Sequence, residues 1–212
     1  MQLEMLSDCR YVPTCEADPI RYYKLPVIGR MYRSRVARTL SLLPYGSRVL
    51  EIGYGSGVSF LNLSRKFNEI HGIDVHDRPF EVAQSFAEAG MTLDLRQGSI
   101  LNLPYENDTF DAAVAISIHE ELPPEVQNKA FSEVRRVVRQ GGCYVVGVPG
   151  VNFTMNTAFY LLGCNIRKYH VTTDCQVQDA MADNFRMDCV WRNPSRLPRS
   201  LAMYVSMRGW KR

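Results

Sequence analysis

The sequence contains no apolar run long enough to cross a membrane. Its longest apolar runs, such as Ala112 to Ile116, have the length of a strand, whereas a membrane-spanning helix needs about 20 apolar residues. The first residues also lack the positive and apolar regions of a secretory signal peptide. With 46% hydrophobic and 22% charged residues, the composition is that of a folded globular domain. We therefore expect a cytoplasmic protein.

Metal-binding or redox-active cysteine pairs of the CxxC type are also absent. The six cysteines are expected to be reduced, since disulfides persist only in oxidising compartments. Pairing or metal binding by Cys9 and Cys15 is an alternative, but no His or Cys lies near them at zinc-type spacing. We predict no metal site.

Acidic residues are missing between Asp18 and Glu51, where basic residues are frequent. The net charge of +3 is too small to indicate nucleic acid binding, so none is expected. Within this gap an apolar series at helical spacing predicts a helix from Pro26 to Leu43. Two interpretations stay open: a lid over a binding site (residues 1–44), or an amphipathic helix that touches anionic lipid from the cytoplasmic side. The second would favour a lipid or quinone ligand.

From Arg48 onward, strand patterns alternate with helix patterns. Such alternation predicts an α/β fold, with a mostly parallel, doubly wound sheet over residues 45–212 as a single domain. The predicted strands are Arg48–Ile52, Ile70–Val75, Thr92–Arg96, Phe110–Ser117 and Cys143–Val148. The predicted helices are Val58–Phe67, Pro79–Glu88 and Pro124–Arg139. The last helix is expected to end at Gly141 and Gly142.

The pattern changes after Pro149. Helices are predicted over Thr157–Arg167 and Gln176–Ala182, and strands over Phe185–Trp191 and Leu201–Met207. The link between these two strands is too short for a crossover helix, so they should be antiparallel.

The first strand runs directly into a glycine loop with Gly53, Gly55 and Gly57. Such a loop before a helix lets a ligand approach the backbone N–H groups closely. The dinucleotide pattern GxGxxG would need a glycine at Val58, and this chain has none there. The hypothesis of a nicotinamide-dependent oxidoreductase is therefore less favoured.

Two acidic residues flank this loop in the predicted sheet. Glu51 would repel a pyrophosphate but suits a ligand with a cationic amino end, which S-adenosylmethionine has. Asp74 ends the second strand, where an acid accepts hydrogen bonds from ribose hydroxyls. Together they indicate an adenosine ligand with an amino acid end.

Three blocks then resemble a known family in order and spacing. Glu51 to Gly57 resembles motif I of class I S-adenosylmethionine-dependent methyltransferases. Gly98 to Asp111 and Glu133 to Gly142 are similar to the "GDAxxLPFxDxxFD" and "EixRVLkPGG" blocks of the ubiquinone/menaquinone-biosynthesis (methyltransferase type 11) group. The resemblance covers about half of the chain. It implies a Rossmann-like seven-stranded sheet with an antiparallel final pair, a single domain with an N-terminal helical lid, and S-adenosylmethionine as cofactor.

The resemblance also implies roles for individual residues. Residues expected to bind the cofactor are Glu51, Gly53, Tyr54, Gly55, Gly57, Asp74, Val75, Ser99, Ile100 and Ser117. Ser99 stands where relatives commonly have Asp, so it would hold the adenine amino group more weakly. Tyr54 is bulkier than the usual residue and would shape the pocket.

Candidate catalytic residues follow the fourth strand. His119 could take a proton from an acceptor hydroxyl or amine, and Glu120 matches a Glu found there in some relatives. Because methyl transfer is an in-line displacement at an activated sulfonium, positioning alone could also suffice. The expected acceptor is a small molecule or a lipid. A cofactor-binding protein without turnover stays open as an alternative, and the sequence does not reveal the oligomeric state.

Overall fold

The computed structural model describes residues 2–6, 11–14, 18–150, 171–194 and 201–212. In chain order the elements are α1 (Ile20–Tyr23), α2 (Pro26–Ser41), β1 (Gly46–Ile52), α3 (Phe60–Leu63), β2 (Phe67–Asp74), α4 (Pro79–Ala87), β3 (Leu93–Gln97), β4 (Phe110–Ile116), a 3₁₀ turn (His119–Glu121), α5 (Pro124–Val137), β5 (Val138–Pro149), α6 (Asp174–Asn184), β6 (Arg186–Asn193) and β7 (Tyr204–Trp210).

The strands form one seven-stranded sheet in the order β3-β2-β1-β4-β5-β7-β6. Pairs from β3 to β5 are parallel, while β7 lies antiparallel to both β5 and β6. This confirms the predicted fold class, including the antiparallel final pair. The chain order reverses between β1 and β4, and ligands of open α/β sheets bind at such a point.

Both faces of the sheet are covered, as the near-continuous apolar strands predict. In β4, every residue from Ala112 to Ala115 is almost fully buried. One apolar cluster includes Phe131 of α5, and the other includes Leu40 of α2 together with Leu3. Leu3 belongs to the segment before α1, which we call the N-terminal arm. The arm and α2 therefore pack on the same side of the sheet as Val49 of β1.

Asp111 at the start of β4 ties three strands together. Its Oδ2 accepts the backbone N–H groups of Ser47 and Arg48, at 2.6 and 2.8 Å, and its Oδ1 accepts Arg139 Nε at 2.5 Å. Burial alone would raise the pKa of this carboxyl, but these donors outweigh it and lower the pKa. Asp111 thus connects β4 to β1 and β5.

Several predicted boundaries are wrong. The last strand spans Tyr204–Trp210 rather than Leu201–Met207, and β2 and β5 begin at Phe67 and Val138 rather than at Ile70 and Cys143. The helix after the glycine loop spans only Phe60–Leu63 rather than Val58–Phe67, because Phe67 already starts β2. Helix α5 ends at Val137, before the glycine pair, since the chain turns directly into β5 at Val138. The predicted helix over Thr157–Arg167 lies outside the described residues.

No helix within the described ranges is long and apolar enough to cross a membrane.

Candidate cofactor and acceptor site

The glycine loop follows β1 at the carboxyl edge of the sheet. Gly53, Gly55 and Gly57 all have positive φ, at 71°, 50° and 79°, a conformation that glycine adopts without steric cost. At Gly53 an added Cβ would lie 2.0 Å from Ile118 Cδ1, so a side chain there would require Ile118 to move. The loop is thus held close to the segment that follows β4.

Glu51 lies at the base of this loop. Its side chain is buried and accepts a short hydrogen bond from the Ser59 hydroxyl. Burial raises the pKa of Glu51 to about 8, although the Ser59 bond acts in the opposite direction. A buried carboxyl of this kind gains most from a cationic partner, because a nearby positive charge favours its ionised form.

Asp74 ends β2 and reaches across to the loop. Its Oδ2 accepts the Gly55 N–H at 2.8 Å, and its Oδ1 accepts the His76 N–H at 3.3 Å. The side chain keeps 14% exposure, and each carboxylate oxygen has lone pairs for a further donor. Asp74 can therefore accept a ligand hydroxyl while it holds the loop.

The residues expected around an adenine ring lie at the ends of β2 and β3. Val75 is 74% exposed. Ile100 is buried, and the Ser99 hydroxyl accepts the Leu101 N–H at 3.2 Å. Tyr54 points the other way, with its ring centre 5.8 Å from that of Phe60 and 4.8 Å from that of His76. Tyr54 thus supports the loop from the core side.

Ser117 lies where β4 ends. It adopts a φ of 60°, which is uncommon for a residue with a side chain and is often found at functional sites. Its N–H donates to the Gly147 carbonyl at 2.7 Å, and its hydroxyl lies 3.3 Å from the Tyr204 hydroxyl. The turn at Ser117 therefore links the ends of β4, β5 and β7.

Glu120 is buried within the 3₁₀ turn beyond Ser117. Its Oε2 atom has no hydrogen-bond partner among the described residues. Burial raises the pKa of Glu120 to about 8, and the charge of Arg35 partly offsets that rise. Strongly perturbed carboxyls in a cleft are frequent at functional sites.

His119 points into the core instead. It is fully buried and stacks on Phe131 with ring centres 4.3 Å apart. Its Nδ1 lies 2.7 Å from Gln127 Oε1, and its Nε2 lies 2.8 Å from the Tyr144 hydroxyl. Burial lowers the pKa of His119 to about 4. Both ring nitrogens are thus engaged within the protein, an arrangement suited to holding the turn in place.

Arg35 of α2 is a site residue that the sequence did not single out. Its guanidinium carbon lies 3.9 Å from the centre of the Tyr32 ring and 5.6 Å from that of Tyr204. The buried Nε atom finds no hydrogen-bond acceptor in the part of the chain that the structure describes. Arg35 also interacts with Tyr23. Burial raises the pKa of Tyr23, Arg35 opposes that rise, and Glu51 adds a lesser contribution to it, so Tyr23 lies within electrostatic reach of both Arg35 and Glu51.

Asp18 fastens the N-terminal arm to the same loop and was also missed. Its Oδ2 accepts the Ser56 hydroxyl at 2.5 Å and the Thr14 N–H at 2.9 Å, while its Oδ1 accepts the Ile20 N–H at 2.9 Å. A single buried acid before a helix carries no distinctive sequence signal, so only the packing reveals this anchor.

No cluster of three or more potential metal ligands occurs among residues 2–6, 11–14, 18–150, 171–194 and 201–212.

Most residues of this site lie in a part of the chain that matches a known protein family. Residues 49–142 match a family described as "Methyltransferase domain". This range contains Glu51, the glycine loop, Asp74 and Glu120. The central part of this chain thus matches a methyltransferase domain. The resemblance inferred from the three sequence blocks is thereby confirmed.

Two curated methyltransferases are each similar to less than half of this chain. A phosphatidylethanolamine N-methyltransferase of Cereibacter sphaeroides is 34% identical over 105 residues, which are 48% of this chain and 50% of that protein. A ubiquinone biosynthesis O-methyltransferase of Azorhizobium caulinodans is 37% identical over 87 residues, or 41% of this chain and 34% of that protein. The chain spans about half or less of the length of these relatives.

Solved structures share the whole architecture of the methyltransferase domain. A geranyl diphosphate methyltransferase in complex with SAM has a TM-score of 0.68 at 18% identity, with 91% of this chain and 94% of that chain covered. At this identity the similarity establishes the fold, while the substrate is a separate matter.

Proposed function

We propose that this protein is an S-adenosylmethionine-dependent methyltransferase that acts on a small or lipophilic acceptor. The observation that carries this proposal is the buried Glu51 carboxyl at the glycine loop, with Asp74 bonded to the Gly55 N–H. A pyrophosphate would meet a buried acid there. An amino acid ammonium would instead supply the positive charge that Glu51 lacks among the described residues.

The amino acid end of the cofactor carries a positive and a negative charge. Its binding site therefore needs a positively charged side chain as well as a negatively charged one. Arg35 supplies one, since its buried Nε has no acceptor within the described residues and its neighbour Tyr23 lies near Glu51. An arginine binds a carboxylate through two parallel hydrogen bonds. We assign Glu51 to the ammonium and Arg35 to the carboxylate of the methionine end.

The remaining site residues divide between the nucleoside and the reacting centre. Asp74 would accept the ribose hydroxyls, and Val75 and Ile100 would pack on adenine beside Ser99. Ser117 would lie near the sulfonium, and α1 and α2 would form the lid. The cofactor, when bound, supplies a methyl group on a positively charged sulfur.

Glu120 is the better placed of the two candidate bases. It lies on the turn after Ser117, and one carboxylate oxygen is without a hydrogen-bond donor in the described ranges. A pKa of about 8 is close to that which proton removal at neutral pH requires. We assign to Glu120 the removal of the proton from the molecule that receives the methyl group. His119, bonded to Gln127 and Tyr144, holds this turn in position.

Two curated relatives favour an acceptor with apolar character. A phosphatidylethanolamine N-methyltransferase and a sterol 24-C-methyltransferase are among them, and their names indicate lipid substrates. We therefore place lipids, quinones and apolar phenols first among the acceptors to screen.

The test is calorimetric titration with two matched ligands. S-adenosylhomocysteine carries the amino acid end, whereas 5′-methylthioadenosine lacks it. We expect one-site binding of the first to the wild type, and weaker binding to Arg35→Gln and Glu51→Gln. Loss of one charged hydrogen-bond partner should cost about 1.5–3 kcal/mol, or roughly 10- to 150-fold in affinity. Affinity for 5′-methylthioadenosine should not change.

Arg38→Gln is the matched control. Arg38 lies one turn along the same helix, with its guanidinium carbon 4.5 Å from the Trp191 ring centre. It should bind both ligands as the wild type does. Absence of any S-adenosylhomocysteine binding would refute the proposal, whereas binding without turnover on any acceptor would indicate a cofactor-binding protein that is not a catalyst.

A further inference from the structure

The outward face of the first turns of α2 exposes aliphatic side chains. Val27 is 75% exposed and Met31 48%, and Leu25 and Ile28 beside them are 41% and 43% exposed. We call these four residues the outer patch. Residues four apart on a helix lie on one face, so Val27 and Met31 form a continuous apolar strip. Exposed apolar strips of this kind usually mark an interaction site.

The outer patch cannot turn into the core, because the opposite face of α2 is already packed. Val36 and Leu40 are fully buried. At Gly29 an added Cβ would lie 2.3 Å from the Tyr23 carbonyl oxygen, so α1 and α2 are in close backbone contact. The rotation of α2 about its axis is thereby set, and the outer patch stays at the surface.

The surroundings of the outer patch are basic. Arg21, Lys24 and Arg30 are exposed around it, and no acidic residue occurs between Asp18 and Glu51. Asp18 itself is buried and bonded to Ser56. An aliphatic strip with a basic border complements a surface that presents negative charge above an apolar layer.

The aliphatic character distinguishes between anionic partners. Nucleic acid surfaces are usually bound by arginine and lysine together with aromatic rings on which bases stack. The four residues of the outer patch are aliphatic, and the ring of Tyr22 beside them is covered by Arg21, 4.8 Å from its centre, and packs on Tyr32. Leucine, valine, isoleucine and methionine side chains transfer readily into the acyl region of a bilayer.

We propose that the outer patch and its basic border dock this protein on an anionic lipid bilayer. The inward faces of the same helices carry Tyr23 and Arg35, which line the candidate site. Docking would therefore bring the lid side of the site to the membrane surface, where a lipophilic acceptor is concentrated. The binding itself does not depend on the proposed methyl transfer.

The experiment is co-sedimentation of the full chain with vesicles of phosphatidylcholine alone or of equal parts phosphatidylcholine and phosphatidylglycerol. We expect binding to the mixed vesicles only. The variant Val27→Gln/Ile28→Gln/Met31→Gln should lower the partition coefficient at least about tenfold, because the insertion of three aliphatic side chains is lost. Arg21→Gln/Arg30→Gln should lower it about fivefold or more and reduce its salt dependence.

Tyr45→Gln/Phe80→Gln is the matched control. These side chains are 79% and 74% exposed but lie outside α1 and α2, so their replacement should leave vesicle binding unchanged. Circular dichroism and S-adenosylhomocysteine titration should show that all variants remain folded.

Several outcomes would overturn the docking proposal. One is equal sedimentation of wild type and the triple glutamine variant. A second is a gel shift with transfer RNA that the arginine variant alone abolishes, which would indicate a nucleic acid surface. A third is a dimer in ultracentrifugation that the triple variant dissociates, without vesicle binding. Saturable S-adenosylhomocysteine binding together with any of these would leave the proposed function standing.

Discussion

The amide nitrogen of Gly55 lies 2.8 Å from Oδ2 of Asp74. This bond joins the loop after β1 to the end of β2. The acid expected to bind a ribose therefore also holds the backbone that would receive the methionine end. One side chain thus couples the two halves of the candidate cofactor site.

For this reason Asp74→Ala should weaken binding of S-adenosylhomocysteine and of 5′-methylthioadenosine alike. Loss of the acceptor and release of the Gly55 N–H should together cost about 1–3 kcal/mol, or roughly 5- to 150-fold in each affinity by calorimetry. Asp94→Ala is the control, since Asp94 on β3 is bonded to His71 and Arg96. Unchanged affinity in Asp74→Ala would remove it from the site.

Glu51 should lose a proton when the amino acid end binds. Burial raises its pKa to about 8, so it is mostly protonated at neutral pH, and pairing with an ammonium would ionise it. Titration with S-adenosylhomocysteine near pH 7, in buffers of different ionisation enthalpy, should show release of about one proton. Glu51→Gln should show none, while Glu120→Gln should behave as the wild type does.

Glu51 should also affect how the free energy of unfolding depends on pH. Between the ordinary value of 4.5 and the folded value of about 8, the folded state holds a proton that the unfolded state has released. The free energy of unfolding therefore falls as pH rises through that window. Glu51→Gln should flatten this part of the profile in urea denaturation. An unaltered profile would contradict the raised pKa.

Glu120→Gln should slow methyl transfer without weakening cofactor binding. General-base catalysis contributes a factor of about 10²–10⁴ in rate. Turnover of the methyl acceptor found by screening should decrease by a factor in that range. In the wild type the rate should rise with pH and level off above the pKa of about 8, because the ionised form is the base. Glu121→Gln is the neighbouring control. A full rate in Glu120→Gln would exclude this role.

His119→Phe should chiefly lower stability. It leaves the Tyr144 hydroxyl and the Gln127 amide oxygen without their partner, at about 1–3 kcal/mol for each buried group. Because the folded pKa of His119 is lowered to about 4, the wild type loses stability as pH falls from about 6.5 toward 4, and the variant should lose less. The measurement is the urea midpoint across that range.

A conservative replacement of His119 distinguishes a positioning role of this residue from a catalytic one. His119→Asn can keep one of the two hydrogen bonds and should recover part of the stability. A variant with wild-type stability but no turnover would instead show that His119 takes the proton itself.

The alternation of strand and helix patterns was sufficient to predict the parallel sheet, because strands buried on both faces are near-continuous apolar runs between amphipathic helices. The antiparallel end followed from the short link between the last two strands. The placement of Glu51 and Asp74 at strand ends followed in the same way, since parallel strands end at one edge. Boundaries were less accurate where the chain turns directly from helix into strand, as at Val137.

Only the tertiary structure decided which side chains meet at that edge. Arg35 is one of several arginines in α2, and its selection depends on the contact between α1 and α2 at Gly29. His119 and Glu120 are adjacent in sequence, yet one is bonded within the core and the other keeps an unpaired oxygen within the described residues. Neighbouring side chains on a tight turn point in different directions, and only the packing around them determines which one can serve a ligand.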